Sequence, residues 1–501
     1  MKEFFKRYIG NKSFYREMFV VAFPIALQQL ISGSVNLMDS AMIGRWGNIA
    51  LGVGGSEISA AAVMIAGRFM TTFENVMIIL AISCTIFIAQ YFGAKNYAAT
   101  KKVFGLVLKL TIGFGLASFI LGFFFRREIV LFFATGVGSG LDMLRLGQDY
   151  LAIVAWTFIP YSFSVAISFC LRAIKKTTIP LMSSGIAALS NLVLNYIFIY
   201  PLGMGVVGAA VATLISRSIE LSILVFYFFR HKPVFYGTFA ETFDIPRDFS
   251  TNILRKGWPM IVAQALTELL AVFMFFAYSH IDSGNATNIA AVNVSTRVVE
   301  LIFAFVGGMG TAAAILVGTR LGAGKIEEAK QNARWQIGYI IMMSLVTVVI
   351  MLSLIPVIQI LFSFDEAGNQ LLAVAMVLQA LALPFLFYSN NVIFITRAGG
   401  YTKAPIFITN IPYLLVKAPI VAMFVFVYPS VLESSPFLQN VFTFLGLPVN
   451  LVIFIFVIDR FIEVLRAMVA FIVYHQAPWQ KDLTKQTYKS FKKPVASSGK
   501  I

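Results

Sequence analysis

The sequence predicts an all-α polytopic membrane protein, with twelve transmembrane helices in two pseudo-symmetric six-helix lobes arranged as a V. Three observations lead there. The 501-residue chain is 59% hydrophobic and only 12% charged, where a soluble chain carries about 25% charged residues. Apolar runs of about 20 residues, the length that crosses a bilayer, recur from end to end. The second half also repeats the first in order. Pro24 with Gln29 returns as Pro259 with Gln264, Gly93-Ala94 with Lys101 as Gly322-Ala323 with Lys330, Arg172-Ala173 with Pro180 as Arg397-Ala398 with Pro405, and Arg217 with Glu220 as Arg460 with Glu463. An internal duplication of long apolar helices implies two equivalent lobes about a shared central site, the architecture of a transporter.

The spans are expected near residues 15–41, 55–90, 98–123, 147–171, 179–200 and 206–229, then 251–279, 289–319, 335–362, 370–396, 404–428 and 445–474. Gly and Pro inside them are tolerated because neighbouring helices re-satisfy the freed backbone groups. The chain then divides into an N-terminal segment at 1–14, an N-lobe at 15–229, a polar linker at 230–250, a C-lobe at 251–474 and a basic tail at 475–501. The linker carries Pro233 and Pro246. The net charge of +16 gives orientation. Basic residues gather at the termini and the even-numbered connections, among them Lys6, Arg7, Lys95, Lys101, Lys175, Lys176, Lys325, Lys330 and Lys481. The odd-numbered connections hold Arg45, Arg126, Arg127 and Arg145. By the positive-inside rule both termini are expected in the cytoplasm. The tail reads as a disordered, solvated end or a segment drawn to anionic lipid.

Other classes are excluded one by one. The first span is too long for a signal peptide and lacks a small-residue cleavage site. Cys84 and Cys170 fall inside spans, so no disulfide framework is indicated. His231, His280 and His475 have no ligand spacing around them, and Gly52, Gly54 and Gly55 lack the Lys-Ser/Thr that would follow in a phosphate loop. With no metal motif, no nucleophile elbow and no ATP site, the chain is not expected to be an enzyme or to hold a cofactor. Active transport would draw on an ion gradient or a partner. The positive charge is not clustered on a soluble domain, so no nucleic acid is expected.

Ionisable residues inside spans are expensive and are functional candidates for that reason. Arg217 and Glu220, like Arg460 and Glu463, are three residues apart on one helix face. Their appearance in both lobes reads as a structural ion pair at equivalent places, with Asp459 and Arg466 extending the second copy. Arg68, Glu74, Arg297 and Glu300 are candidates for lining a wet central cleft. Asp39 has no basic residue within a helical turn before Arg45, and it follows the hinge candidate Pro24 by fifteen residues in the same helix. An unpaired carboxylate in a low-dielectric cavity can exchange a proton, or bind sodium with neighbouring oxygens. The alternative is a carboxylate solvated at the outer interface. Phe273, Met274, Phe275, Phe276, Phe303, Phe305 and Met309 offer the adaptable aromatic and thioether surface that suits flat organic cations, although most such side chains in a membrane face lipid or other helices.

The chain resembles the multidrug and toxic compound extrusion (MATE) family, in its prokaryotic branches, over roughly residues 15–475. The resemblance is carried by Pro24 with Asp39, by AQYFGAKN after the second span, RAIKKTTIP between the fourth and fifth, SNLVLNYIFIYPLGMGVVGAAVAT across the fifth and sixth, and VGTRLGAGKIEEA after the eighth. It implies export of organic, cationic amphiphilic compounds in exchange for protons or sodium ions, from a multi-pass protein of a prokaryotic cytoplasmic membrane. Small organic cations and membrane lipids are the implied partners, and a monomer the expected state. The family's N-lobe coupling site carries over as Asp39, Asn191, Asn195 and Thr213. It departs at Leu194-Asn195-Tyr196, where the family has an aspartate, so one carboxylate stands where relatives have two. In the C-lobe the position of a family glutamate is Thr267. Glu268 lies one residue on, rotated by roughly 100°, which ranks it below Asp39. The alternatives are a flippase for lipid-linked saccharides of the same superfamily and a non-transporting scaffold. The topology predicts that a cysteine placed in the 320–334 connection reacts with impermeant reagents only from the cytoplasmic side; labelling from outside intact cells would refute it.

Overall fold

Apolar composition in long runs leaves the backbone one economical solution in a bilayer, hydrogen bonding within each segment. The computed structural model describes residues 8–46, 55–134, 140–279, 286–362, 366–427, 435–436, 439–440, 443 and 451–487. Within its helices the side chains of 35–41, 44–46, 55–57, 275–276, 278–279, 286–293, 300, 361–362, 367, 427, 451–452 and 486–487 are outside the description. All its regular secondary structure is helical among the described residues. The long helices are α1 (Lys12–Trp46), α2 (Gly55–Gly93), α3 (Tyr97–Phe124), α4 (Leu141–Ala173), α5 (Thr178–Ile199), α6 (Gly205–His231), α7 (Arg247–Ser279), α8 (Ala286–Gly322), α9 (Ile326–Phe362), α10 (Glu366–Ala398), α11 (Ile406–Phe426) and α12 (Leu451–Gln476). The first eleven contain a stretch long and apolar enough to cross a membrane. The middle of α12 holds Asp459, Arg460, Glu463 and Arg466, a charge content sustained by pairing inside the C-lobe. Leu189, Leu269, Leu345, Val349 and Phe461 are exposed on the outer surface, as lipid-facing positions require.

Several boundaries differ from the sequence reading. Helix α4 begins at Leu141 and passes through a 3-10 turn at Ala155–Thr157. Helix α11 is wound in π turns at Ile406–Asn410, Tyr413–Lys417 and Met423–Val427. Pro412 and Pro419 lie between these turns and lack the N–H that regular α pairing needs. The linker is shorter than 230–250. Helix α6 runs to His231 and closes on Lys232 in a left-handed conformation (φ 41°), and α7 starts at Arg247. Between them a short helix, Phe239–Phe243, is held by a capping box in which Thr238 and Glu241 bond each other's backbone N–H. The Thr238 N–H, with Lys101 beside it, keeps the Glu241 carboxyl below its ordinary range.

The repeat becomes a contact where α2 and α8 cross. A Cβ added at Gly93 would lie 2.0 Å from the Thr319 carbonyl oxygen, and one at Gly322 would lie 1.9 Å from that of Gln90. These two glycines are repeat partners, so each lobe supplies the gap that the other lobe's backbone enters. Small residues permit this close approach between membrane helices. Helix α8 approaches α1 in the same way: a Cβ at Gly308 would meet Ala26 N at 2.6 Å, two residues beyond the buried Pro24, through which α1 runs as one continuous helix.

The lobes are also tied at the end of the bundle that bears both chain ends. Glu17 of α1 pairs with Lys175, which follows α4, at 2.8 Å and with Arg320 of α8 at 2.6 Å. Gln90 donates to the Ala398 carbonyl at 2.8 Å and accepts from the Leu483 N–H at 2.7 Å. The tail is therefore not a free end as far as Leu483. Trp479 is 1% exposed and Leu483 2% exposed, and a Cβ at Gly399 would strike the Trp479 carbonyl oxygen. Two apolar side chains and the Gln90 amide hold a segment whose charge suggested solvation.

Gly322→Val is expected to lower the melting temperature of the purified protein, since overpacking a tight contact costs about 1–3 kcal/mol. Gly113→Val, at a position with nothing within 4 Å, should melt like the parent. Equal melting of both variants would mean the crossing is not a tight contact.

Candidate central cavity

The N-lobe surrounds a cavity of about 470 Å³, completed by Gln264 of α7, Thr311 of α8 and Phe394 and Arg397 of α10. Its wall carries a run of polar groups that no sequence spacing connects. Arg217 on α6 lies between two carboxylates, 3.0 Å from Glu74 of α2 and 3.3 Å from Glu220 one turn along its own helix. The guanidinium also sits 4.5 Å from the Tyr161 ring. Glu220 accepts from Ser184 Oγ at 2.5 Å, Ser184 Oγ accepts from Gln28 Nε2 at 2.6 Å, and Gln28 Oε1 accepts from Arg172 Nη2 at 2.6 Å. One hydrogen-bonded path thus passes through α2, α6, α5, α1 and α4.

The remaining sequence candidates separate into groups. Asn195 donates to Asn191 Oδ1 at 3.2 Å, Asn191 is 3.5 Å from Thr213 Oγ1, and Asn191 and Thr213 line the cavity. Helix α1 packs along α5, but the side chain of Asp39 lies outside the described residues, as does that of Glu300. Glu74 lines the cavity. Glu268 lines a separate pocket of about 70 Å³ with Arg68 and accepts from Asn75 at 3.1 Å and Gln264 at 2.8 Å, two residues of the main cavity wall. Arg297 is exposed. Among the described residues no group of three or more His, Cys, Asp and Glu side chains could hold a metal ion.

The C-lobe copy corrects one expectation. Arg460 does not pair with Glu463: it pairs with the adjacent Asp459, which also contacts Lys417 of α11. Glu463 instead pairs with Arg466 at 2.7 Å and accepts from the Tyr413 hydroxyl at 3.0 Å. Glu463 precedes Arg466, the favoured order for such a pair on a helix, and the first lobe has Ile223 where that arginine would stand. Every described carboxylate of α12 therefore faces a base inside its own lobe, whereas Glu74 and Glu220 share one.

A family profile described as MatE matches residues 24–197 and 259–423, one block in each lobe. The chain belongs to the MATE family. Its members are multidrug efflux transporters. Multidrug and toxin extrusion protein 1 of Homo sapiens is 24% identical over 418 residues, covering 81% of this chain and 68% of that protein. The probable multidrug resistance protein NorM of Pasteurella multocida is 25% identical over 417 residues, covering 81% and 85%. Among solved structures, an outward-facing MATE multidrug resistance transporter superposes with TM-score 0.76 at 19% identity over 95% of this chain and 96% of that one.

Gln28, Tyr161, Ser184, Arg172 and Arg397 are cavity residues that the sequence reading missed as functional. The repeat had already marked the two arginines, and that was the available signal. Glu463→Ala should cost about 3–5 kcal/mol, because it leaves the Arg466 guanidinium, 4% exposed, without its partner. Arg460→Ala should cost less, since Asp459 keeps Lys417. Denaturation of the two variants in detergent checks the order.

Proposed function

We propose that this transporter is a secondary antiporter that exports amphiphilic organic cations in exchange for protons or sodium ions, with both termini in the cytoplasm. One observation carries the reading: two carboxylates, Glu74 and Glu220, share a single arginine in the wall of a cavity large enough for a small organic molecule. One guanidinium cannot fully neutralise both in a medium of low dielectric. The second negative charge is answered by a proton, a sodium ion or the cationic group of a substrate. These are alternatives at one place, so binding of one drives off another, and that exclusion is the thermodynamic content of antiport.

A second place for the coupling ion is Asp39, with Asn191, Asn195 and Thr213 from α5 and α6. Asn191 and Thr213 line the same cavity and Asn195 bonds to Asn191, and α1 carries both Asp39 and the Gln28 link of the hydrogen-bonded path. Loading the ion would change how α1 packs on α5 and, beyond Pro24, on the glycines of α8. Such a shift in a helix shared by both lobes is how a local charge event becomes a change of access.

The test is dye export from proteoliposomes under an imposed pH gradient without sodium, and under a sodium gradient at constant pH. Asp39→Asn is expected to keep the fold and to slow gradient-driven export at least about tenfold, an amount equal to about 1.4 kcal/mol of lost coupling. Export by Asp39→Asn at the wild-type rate under both gradients would remove Asp39 from the coupling site.

A further inference from the structure

The geometry points to a second, oppositely charged subsite: Arg172 and Arg397 form an oxyanion site at the floor of the cavity. We infer that it binds the carboxylate or phosphate group of an aromatic amphiphile. The inference rests on the transport reading above and names the chemistry of what is carried.

Three arginines are buried among the described residues: Arg172, Arg397 and Arg466. Arg466 has Glu463 at 2.7 Å. The other two are 8% and 7% exposed and have no carboxylate at ion-pair distance. Arg172 donates one hydrogen bond, to the neutral amide of Gln28. No hydrogen bond from the Arg397 guanidinium is formed among the described residues; the Nε atoms of Arg172 and Arg397, like those of Arg460 and Arg466, are buried without an acceptor. Elsewhere the protein answers such charges: Arg217 with Glu74 and Glu220, Arg460 with Asp459, Arg320 with Glu17. Burying a guanidinium without a counter-charge is costly.

The two are repeat partners held in the same manner. In each lobe the guanidinium lies over the phenylalanine three residues before it, Phe169 at 4.6 Å and Phe394 at 4.0 Å. Both arginines line the main cavity, and both line a smaller one of about 40 Å³ set between Thr85 of α2 and Thr311 of α8. That is room for one small polar group. A planar guanidinium fork matches an oxyanion with two parallel N–H···O bonds, and the two phenylalanine faces offer stacking to an aromatic body. An oxyanion there meets a charge from each lobe and so bridges them. Through Gln28 and Ser184 the same site reaches Glu220, where a cationic group competes with the coupling ion. A compound carrying both a cationic and an oxyanionic group satisfies both ends of the path.

The test uses full-length protein in nanodiscs of neutral lipid. The probes are a fluorescent aromatic amine bearing a carboxylate and its methyl ester, which has lost the negative charge. Wild type is expected to bind the acid at least about tenfold more tightly than the ester, with inorganic phosphate competing against the acid only, as charge-assisted pairing requires. Arg172→Gln and Arg397→Gln should each remove most of that difference, and the acid should raise the melting temperature of wild type but not of either variant. Equal affinity of wild type for acid and ester overturns the site, and this comparison needs no variant to fold. Loss of the difference when anionic lipid is added to the nanodiscs assigns the oxyanion to a lipid headgroup and overturns the amphiphile assignment. Proton or sodium-ion release driven by the ester in wild-type proteoliposomes tests the antiport reading separately. Its absence alongside a clear acid preference would sink antiport while leaving the oxyanion site standing.

Discussion

A charge inside a bilayer has to be answered by another charge or by water, and the interior of this transporter is organised by how each of its charges is answered. In the C-lobe the answers are local. Asp459 lies between Lys417 and Arg460, and Glu463 is clasped by Arg466 and Tyr413. In the N-lobe they are incomplete: Glu74 and Glu220 share Arg217, while Arg172 meets an amide and an aromatic ring but no carboxylate. Closed pairs make a rigid element, because removing either partner is expensive. Shared or unmet charges leave capacity for a mobile ion. On the function proposed above, two lobes built from one duplicated plan do different work, one as frame and one as exchanger.

The glycine crossing of α2 and α8 sets where the lobes can touch. Because Gly93 and Gly322 each admit the other helix's backbone, the contact is reciprocal, and α2 and α8 form a joint at the terminus-bearing end. Three further ties close over it: the Glu17 bridge between Lys175 and Arg320, the Gln90 side chain, and the buried Trp479–Leu483 segment. The joint is made of backbone contacts that tolerate no added side chain, which favours switching between two packings over gradual opening.

Helix α1 is the element through which these parts communicate. It supplies Glu17 to the joint, Ala26 to the contact with α8 and Gln28 to the polar path, and it carries Asp39, the proposed coupling residue. Pro24 lies between the joint and the cavity, where it removes one helical hydrogen bond. A change in charge at the cavity can therefore be felt at the joint without any other helix being recruited.

Much of this was legible in the chain itself. Apolar run length determined the number of helices, since only a helix satisfies its own backbone in lipid. The ordered repeat of Pro24, Gly93, Arg172 and Arg217 determined two equivalent lobes, and the phrases around Asn191, Asn195 and Thr213 marked side chains that bond in sequence, Asn195 to Asn191 and Asn191 to Thr213. Which charge meets which was decided by the tertiary structure alone. Arg217 finds Glu74 on another helix, Glu463 turns to Arg466, and Trp479 buries a tail that charge alone would leave in solvent. Helical spacing fixes neighbours along one helix, but it carries no information about the angle at which another helix arrives. The cavity is made of such arrivals, so Gln28, Ser184, Arg172 and Arg397 become one site only when α1, α5, α4 and α10 are packed together.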